Sequence, residues 1–190
     1  MPKRLRQPVL YQYMRGALRE LVTLEGGLIA WRFLCAASFL DYLSCMTSGK
    51  GGANAYKSFI TTWFPAKYGA FTYRNGKKDL PIQMYHVLRC GLVHSFSLVP
   101  DSRGVVAGGR KRSIVFATRG DRLGVHLAGY SKGSVVDAAL FVLEDFLEDV
   151  WAVNNKLFKQ AETDRALAAR IMKWSRNHPP ILHLSLAGKY

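Results

Sequence analysis

The sequence is poor in acidic residues and in cysteine. Its 190 residues include 13 Asp and Glu against 27 Lys and Arg, a formal net charge of +14. Three cysteines are too few for a disulfide framework, so we expect a protein of the reducing cytoplasm. The hydrophobic share of 49% excludes a disordered chain and is enough for one core. Excess positive charge on a globular protein implies an anionic partner, most commonly the phosphates of nucleic acid.

The chain also lacks a long uninterrupted apolar segment. A membrane-spanning helix needs roughly 20 consecutive apolar residues, and Arg32 and Asp41 interrupt the longest stretch, 27–46. The basic start MPKRLRQP leads into no apolar core followed by a small-residue cleavage site, so we expect no secretory signal. We therefore expect residues 27–46 to form a buried core helix and the protein to have no membrane association.

Apolar residues recur with helical periodicity along most of the chain, and Gly and Pro separate the segments. Pro65 ends the third segment, because proline lacks an amide donor and clashes with the preceding turn. Asp79 is a suitable N-cap for the fourth. The pattern predicts helices over 9–24, 28–46, 54–64, 79–98, 135–158 and 162–176, with a basic connector over 69–78.

One region has a different pattern. SIVFAT (113–118) and LGVHLA (123–128) are rich in β-branched and apolar residues, and residues 119–122 between them favour a turn, so we predict a β-hairpin. The predicted fold is mainly α, one domain over 1–190. It is a helical bundle with a basic loop and the β-hairpin inserted over 101–132, followed by a C-terminal tail over 178–190.

Charge is distributed unevenly along this map. Residues 103–132 hold seven basic residues and one acid, Asp121, whereas five acids crowd the predicted helix 135–158. Both could be solvated surfaces without a function. The alternative is a basic arm that binds nucleic acid through Arg110, Lys111, Arg112, Arg119, Arg122 and Lys132.

The fourth predicted helix carries two ionisable residues, Arg89 and His94, on an otherwise apolar segment. A structural explanation is that Arg89 pairs with a carboxylate such as Asp41 and that His94 donates to a backbone carbonyl. Five residues separate the two, so in an α-helix their side chains diverge by about 140°. Arg89 is long enough to fold back toward the same cleft, so a shared site is the second explanation.

The segment Arg89–Phe96 (RCGLVHSF) resembles the R-x4-H motif of the HEPN superfamily, the higher eukaryotes and prokaryotes nucleotide-binding domains. In that family the Arg and His lie toward the end of a late helix of a four-helix bundle, often with an aromatic residue where Phe96 stands. The wider context is similar too: an apolar helix bearing Asp41, a Gly-rich break, an aromatic-Pro helix end and Tyr85 ahead of the Arg. The resemblance spans roughly residues 10–155.

The resemblance implies a homodimeric, metal-independent endoribonuclease for single-stranded RNA, without a cofactor. The 2′-OH of RNA is a built-in nucleophile. His94 would be the general base or acid and Arg89 the phosphate clamp, with Asp41 orienting one of them and Tyr85, Cys90, Ser95 and Phe96 in support. Such an enzyme would be a toxin or defence effector whose activity an inhibitory protein partner restrains.

One residue departs from the family pattern. The position after the Arg is usually polar in catalytic members, and here it is Cys90. Two other function classes therefore stay open: a non-catalytic HEPN-like module that binds nucleic acid or protein, and a structural bundle with surplus charge. A metal centre is disfavoured, because His86, Cys90 and His94 extend over about 12 Å of one helix, too far for all three to meet one ion.

Overall fold

The computed structural model describes residues 8–23, 29–74, 76–92, 111–131 and 136–178, and these form a mainly helical fold with one small sheet. The helices are α1 (Pro8–Thr23), α2 (Ile29–Ser48), α3 (Ala53–Trp63), α4 (Lys67–Ala70), α5 (Leu80–Gln83), α6 (Leu143–Ala161) and α7 (Arg165–Asn177). A π-helix (Met84–Leu92) directly continues α5. The strands are β1 (Lys111–Ala117), β2 (Gly129–Tyr130) and β3 (Val136–Val142).

Helix α2 is the centre of the bundle. It packs against α1, α3, α6, α7 and the π-helix, and Phe33, Leu40 and Leu43 on it are completely buried. Its length and composition would also allow it to cross a membrane, and 44% of its most apolar 18-residue window is buried. A buried core helix passes the same test, and contact with five helical neighbours is the environment that its near-continuous hydrophobicity predicts.

The first three predicted helices are confirmed to within two residues at each end. Gly49, with φ of 74°, follows α2, and Pro65 follows α3. Asp79 is the N-cap residue of α5 as predicted, although its side chain makes no capping bond; its backbone carbonyl accepts from the amides of Ile82 and Gln83. The remainder of the predicted fourth helix, 93–98, lies outside the described residues.

The predicted β-hairpin is wrong. Residues 113–117 are strand, as expected, but 123–128 are not, and β1 pairs in parallel with β3. Strand β2 pairs antiparallel with the other edge of β3, which gives the order β1-β3-β2. Arg122, Gly124 and Leu127 have φ of 53°, 143° and 64°, and positive φ at three nearby positions is incompatible with an extended strand.

The predicted helix over 135–158 is also corrected. Residues 136–142 form β3, and α6 begins only at Leu143. Every β3 residue from Asp137 to Val142 is buried. A strand covered on both faces shows no alternation of polar and apolar residues, and such a short apolar run cannot be distinguished from a buried helix by periodicity. Glu144 and Asp145 then lie in the first turn of α6, where the helix dipole favours acidic side chains.

One face of the sheet packs in the main core, through Ile114, Ala139 and Phe141, and the other face forms a separate small cluster of Ala117, Leu140 and Val142. The Phe33 ring of α2 stacks on Phe116 of β1 with centroids 3.8 Å apart, and it also contacts Phe141 of β3 and Phe146 of α6. These aromatic contacts join β1 and β3 to the helices. Of the predicted tail 178–190, only His178 lies within the described residues.

Candidate functional site

An ion pair joins the π-helix to α2. The Nε of Arg89 donates to Oδ2 of Asp41 over 3.1 Å, and the two side chains are 31% and 20% exposed. Partial burial opposes the charged guanidinium, but the hydrogen bond and the negative charge of Asp41 outweigh it and raise the pKa of Arg89. The ion pair that the structural explanation of Arg89 expects is therefore present, at a position where solvent still reaches both groups.

The backbone that carries Arg89 is unusual. Residues 84–92 follow the wider π-helical turn, in which hydrogen bonds join residues five apart. π-Helical turns are rare and occur frequently at functional sites. Residues five apart, such as Tyr85 and Cys90, come closer to one face in this geometry than in an α-helix.

Tyr85 and Cys90 lie against the same pair. The guanidinium carbon of Arg89 is 5.8 Å from the centre of the Tyr85 ring, within the range of a cation–π contact. Burial raises the pKa of Tyr85, and the neighbouring Cys90 raises it further. The structure thus brings together Arg89, Asp41, Tyr85 and Cys90, which the sequence grouped as one site.

Tyr56 of α3 is a member of this group that the sequence analysis did not single out. Its ring meets Tyr85 edge-on at 5.6 Å, and it is completely buried. Its hydroxyl has no hydrogen-bond partner among the described residues. Burial, and after it the charge of Asp41, raises the pKa of Tyr56. The sequence around Tyr56 does not distinguish it from other core aromatic residues, because its contact with Tyr85 forms only when α3 packs on the π-helix.

Several predicted site residues fall outside what can be described. His94, Ser95 and Phe96 of the motif, and Arg110 and Lys132 of the basic arm, lie outside the described residues. Lys111 and Arg112 are on β1, but their side chains are not described. The described part of the site therefore contains the arginine of the R-x4-H motif and not its histidine.

The basic arm contacts the acidic helix. The Arg119 guanidinium bonds to the carboxylates of Asp145 and Glu148 on α6, and its backbone amide donates to Glu144 over 3.0 Å. These bonds raise the pKa of Arg119. The acids that the sequence placed in a separate element neutralise this cation, so Arg119 would have to leave them in order to bind a phosphate. Arg122 is exposed.

A second polar cluster lies between α4, α6 and the loop before β2, with Tyr68 and His126 on its buried side and Lys67 at the surface. The amide of Val142 donates to Nδ1 of His126 over 3.1 Å, so in the neutral ring Nε2 carries the proton. That nitrogen lies 2.8 Å from the Tyr68 hydroxyl, which donates to Oδ2 of Asp149 over 2.9 Å. Lys67 reaches the same carboxylate oxygen at 2.8 Å. We call these four side chains, Lys67, Tyr68, His126 and Asp149, the His126 cluster.

Burial controls the ionisation of this cluster. The side chain of His126 is 4% exposed. Desolvation, with the positive charge of Lys67, lowers the pKa of His126 to about 4, against the opposing influence of Asp149 and Asp145. Burial also raises the pKa of Tyr68. His126 is therefore neutral at physiological pH and fully hydrogen-bonded, as expected for a structural histidine.

Neither cluster is arranged as a metal site. Among the described residues, no group of three His, Cys, Asp or Glu side chains could hold a metal ion.

Comparison with known proteins identifies no relative. No family model, no curated protein and no solved structure matches the chain.

Proposed function

We propose that this protein is a HEPN-like, metal-independent endoribonuclease that cleaves single-stranded RNA. The observation that carries the proposal is the Arg89–Asp41 pair, partly exposed on a π-helical turn beside Tyr85. One carboxylate, Asp41, orients Arg89 through Nε, whereas two carboxylates hold Arg119, and a planar guanidinium suits a phosphate. The R-x4-H motif supplies the second component of the proposal, His94.

In the proposed reaction the 2′-oxygen attacks the adjacent phosphorus. A bond forms between O2′ and phosphorus, the bond between phosphorus and O5′ breaks, and the product ends in a 2′,3′-cyclic phosphate. His94 takes the 2′-OH proton or delivers a proton to O5′, since an imidazole can accept or donate a proton near neutral pH. Arg89 stabilises the negative charge that develops on the phosphoryl oxygens. In this scheme Asp41 positions Arg89 and does not touch the RNA.

The proposal includes a homodimer, in which the Arg89 and His94 of two chains share one cleft. This expectation comes from the family resemblance, as do the role of toxin or defence effector and the inhibitory protein partner. A cytoplasmic location is expected from the low cysteine content.

The test is cleavage of a labelled single-stranded RNA in the presence of EDTA. We expect the wild-type protein to cut, and Arg89→Ala and His94→Ala each to lose about 100-fold or more of the rate. Arg15→Ala removes an exposed arginine of α1 and should keep full activity. Asp41→Asn keeps the shape of the side chain but removes its charge, and should lose less than Arg89→Ala. Cleavage that EDTA abolishes, or that persists in both site variants, would contradict the mechanism.

A second candidate function is a non-catalytic HEPN-like binding module. Cys90 favours it, because a thiol is a weaker hydrogen-bonding group than the polar residues usual after the Arg. The same experiment separates the two candidates. RNA binding with a steep salt dependence and no cleavage at all would favour the binding module.

A further inference from the structure

The outer face of α7 carries a concentration of unopposed positive charge. Four exposed cations lie on it: Arg165, Arg170, Lys173 and Arg176. At about 100° per residue they fall within an arc of about 140°, opposite the buried Leu167, Ala168 and Ile171. Between them the exposed positions are small or neutral, namely Ala166, Ala169 and Asn177. We call this surface the α7 cationic face.

Among the described residues, no carboxylate pairs with the cations of this face. Within the part of the chain that the structure describes, none of its four cations forms a salt bridge, whereas Arg119 of the basic arm contacts two acids. The carboxylate of Asp164, just before α7, accepts from the amide of Leu167 and so caps the helix. The α7 cationic face therefore keeps its charge available for a partner, which Arg119 does not.

The C-terminal end of α7 lies near the part of α2 that carries Asp41 of the Arg89 site. Arg170 donates through Nε to the carbonyl of Thr47 over 2.9 Å, and the Tyr42 hydroxyl donates to the carbonyl of His178 over 3.0 Å. Helix α7 therefore runs antiparallel to α2, with its C-terminal end beside Tyr42. The next residue toward the N-terminus of α2 is Asp41, which holds Arg89. A strand lying along α7 would approach the Arg89 site at that end.

A groove lies at the opposite end of α7. It has a volume of about 280 Å³ between α2, α3, α6 and α7, with Arg170 and Asp164 on its α7 side. Trp63, which lines the groove, is half-buried, and the Lys156 ammonium lies 5.7 Å from the centre of the Trp63 ring. Hydroxyl groups make up much of the remaining lining, from Thr47, Ser48, Ser58 and Thr62. An aromatic ring among hydroxyl and cationic groups is suited to stack an unpaired base.

We propose that the α7 cationic face and this groove bind the backbone and an unpaired base of the RNA strand that the Arg89 site cleaves. The choice of RNA rests on the proposed function. The composition of the face argues against a membrane, because a helix that inserts into a bilayer surface presents exposed large apolar residues. The apolar stripe of α7 is instead buried in the core. Trp63 argues for a single strand, because bases in a duplex are already stacked.

The first test measures binding of single-stranded RNA in EDTA as a function of salt. The variant R165Q/K173Q/R176Q leaves Arg170 in place, because that side chain bonds to α2. Each lost phosphate contact should flatten the slope of log affinity against log salt by about 0.7, so about 2 for the three, with a loss of about tenfold in affinity near physiological salt. R15Q/R19Q/K159Q removes the same charge from exposed positions of α1 and α6 and should change affinity less than twofold.

The second test uses the groove. Trp63→Ala should weaken binding to single-stranded RNA severalfold, since stacking on an aromatic side chain is worth about 1–3 kcal/mol per base, and should leave binding to an RNA duplex unchanged. Trp31→Ala is the matched control, because Trp31 is 50% exposed on α2 away from the groove. It should change neither affinity.

The outcomes separate this inference from the proposed function. If the two triple variants lose the same RNA affinity, or if R165Q/K173Q/R176Q loses none, the proposed role of the α7 cationic face is wrong, even if the protein cuts RNA. If R165Q/K173Q/R176Q loses the wild type's binding to phosphatidylserine vesicles but keeps its RNA binding, the α7 cationic face binds a membrane and the RNA proposal is wrong. If the wild type binds RNA through α7 without cutting it, the ribonuclease proposal fails and the α7 surface is supported.

Discussion

The Arg89 site and the His126 cluster are built from similar groups, each having a carboxylate, a cation and a tyrosine. Their cations are both partly exposed, Lys67 at 46% and Arg89 at 31%, but the His126 cluster also contains a buried histidine and a buried tyrosine joined by hydrogen bonds. In the His126 cluster each group meets the next, from the Val142 amide to Asp149, and the histidine is 4% exposed. At the other site Arg89 is 31% exposed, and the hydroxyl of the neighbouring Tyr56 has no described partner. A buried chain of hydrogen bonds stabilises a fold, whereas a site for a ligand must expose a group that the ligand can reach, and at this site that group is Arg89.

The location of the two clusters agrees with this difference. The His126 cluster ties the loop before β2 to α4 and α6, three elements that are distant in sequence. The Arg89 site lies where a π-helical turn meets the central helix. Three predictions test the contrast, in order of decreasing effect.

The largest effect is expected from pH. The pKa of His126 is lowered to about 4 in the folded protein, while the unfolded chain has the ordinary value of about 6.5. Below pH 6.5 the unfolded state therefore binds more protons, and stability falls as the pH drops from about 6.5 toward 4. The full difference corresponds to about 3 kcal/mol. Denaturant unfolding at a series of pH values measures it.

The control for this measurement is His126→Gln. The chain has five histidines, so the relevant quantity is the difference in pH dependence between the wild type and the variant. The variant should lose most of the fall in stability between pH 6.5 and 4, whatever its stability at neutral pH. An identical pH dependence in both proteins would show that His126 is not buried as described.

The next effect is on stability at neutral pH. Tyr68→Phe removes the hydroxyl between His126 and Asp149 and leaves the Nε2 proton of His126 without its acceptor. An unsatisfied buried donor costs about 1–3 kcal/mol, so the free energy of unfolding should fall by about that amount. RNA cleavage or binding by the folded protein should not change. A loss of activity at unchanged stability would reverse the roles of the two clusters.

The smallest effect on stability is expected from Tyr56→Phe, the same substitution at the tyrosine near the Arg89 site. Tyr56 is as deeply buried as Tyr68, but its hydroxyl has no described partner. Removing an unpaired buried hydroxyl is nearly neutral or stabilising, so Tyr56→Phe should change the free energy of unfolding by less than about 0.5 kcal/mol. A loss as large as that of Tyr68→Phe would mean that the Tyr56 hydroxyl does have a partner in the folded protein.

The helices could be predicted from the sequence because their signals are local. Apolar periodicity and the breaks at Gly49 and Pro65 predict α1, α2 and α3 within two residues. The sheet could not be predicted in this way. Strand β3 has no alternation because both of its faces are covered, and its parallel partner lies across a connection of eighteen residues, 118–135. The hairpin was therefore the nearest local explanation for two apolar segments and a turn.

Only some residues of the candidate site could be predicted from the sequence. Arg89 and Asp41 could be named because an isolated charge on an apolar helix requires a partner, and the two are paired. No local sequence pattern predicted the role of Tyr56, the π-helical turn or the hydrogen bonds through His126. The neutralisation of Arg119 could not be foreseen either, because its acidic partners follow it by more than twenty residues.

By itself, the sequence determined the charge of +14, the helical periodicity and the presence of a motif with Arg89 and His94. The tertiary structure alone decided which of those charges are available. The folded chain places Arg119 against Asp145 and Glu148, but turns the cations of α7 to solvent. The physical reason is that net charge is a sum over the whole chain, whereas a binding surface depends on which opposite charges folding brings within a few ångströms.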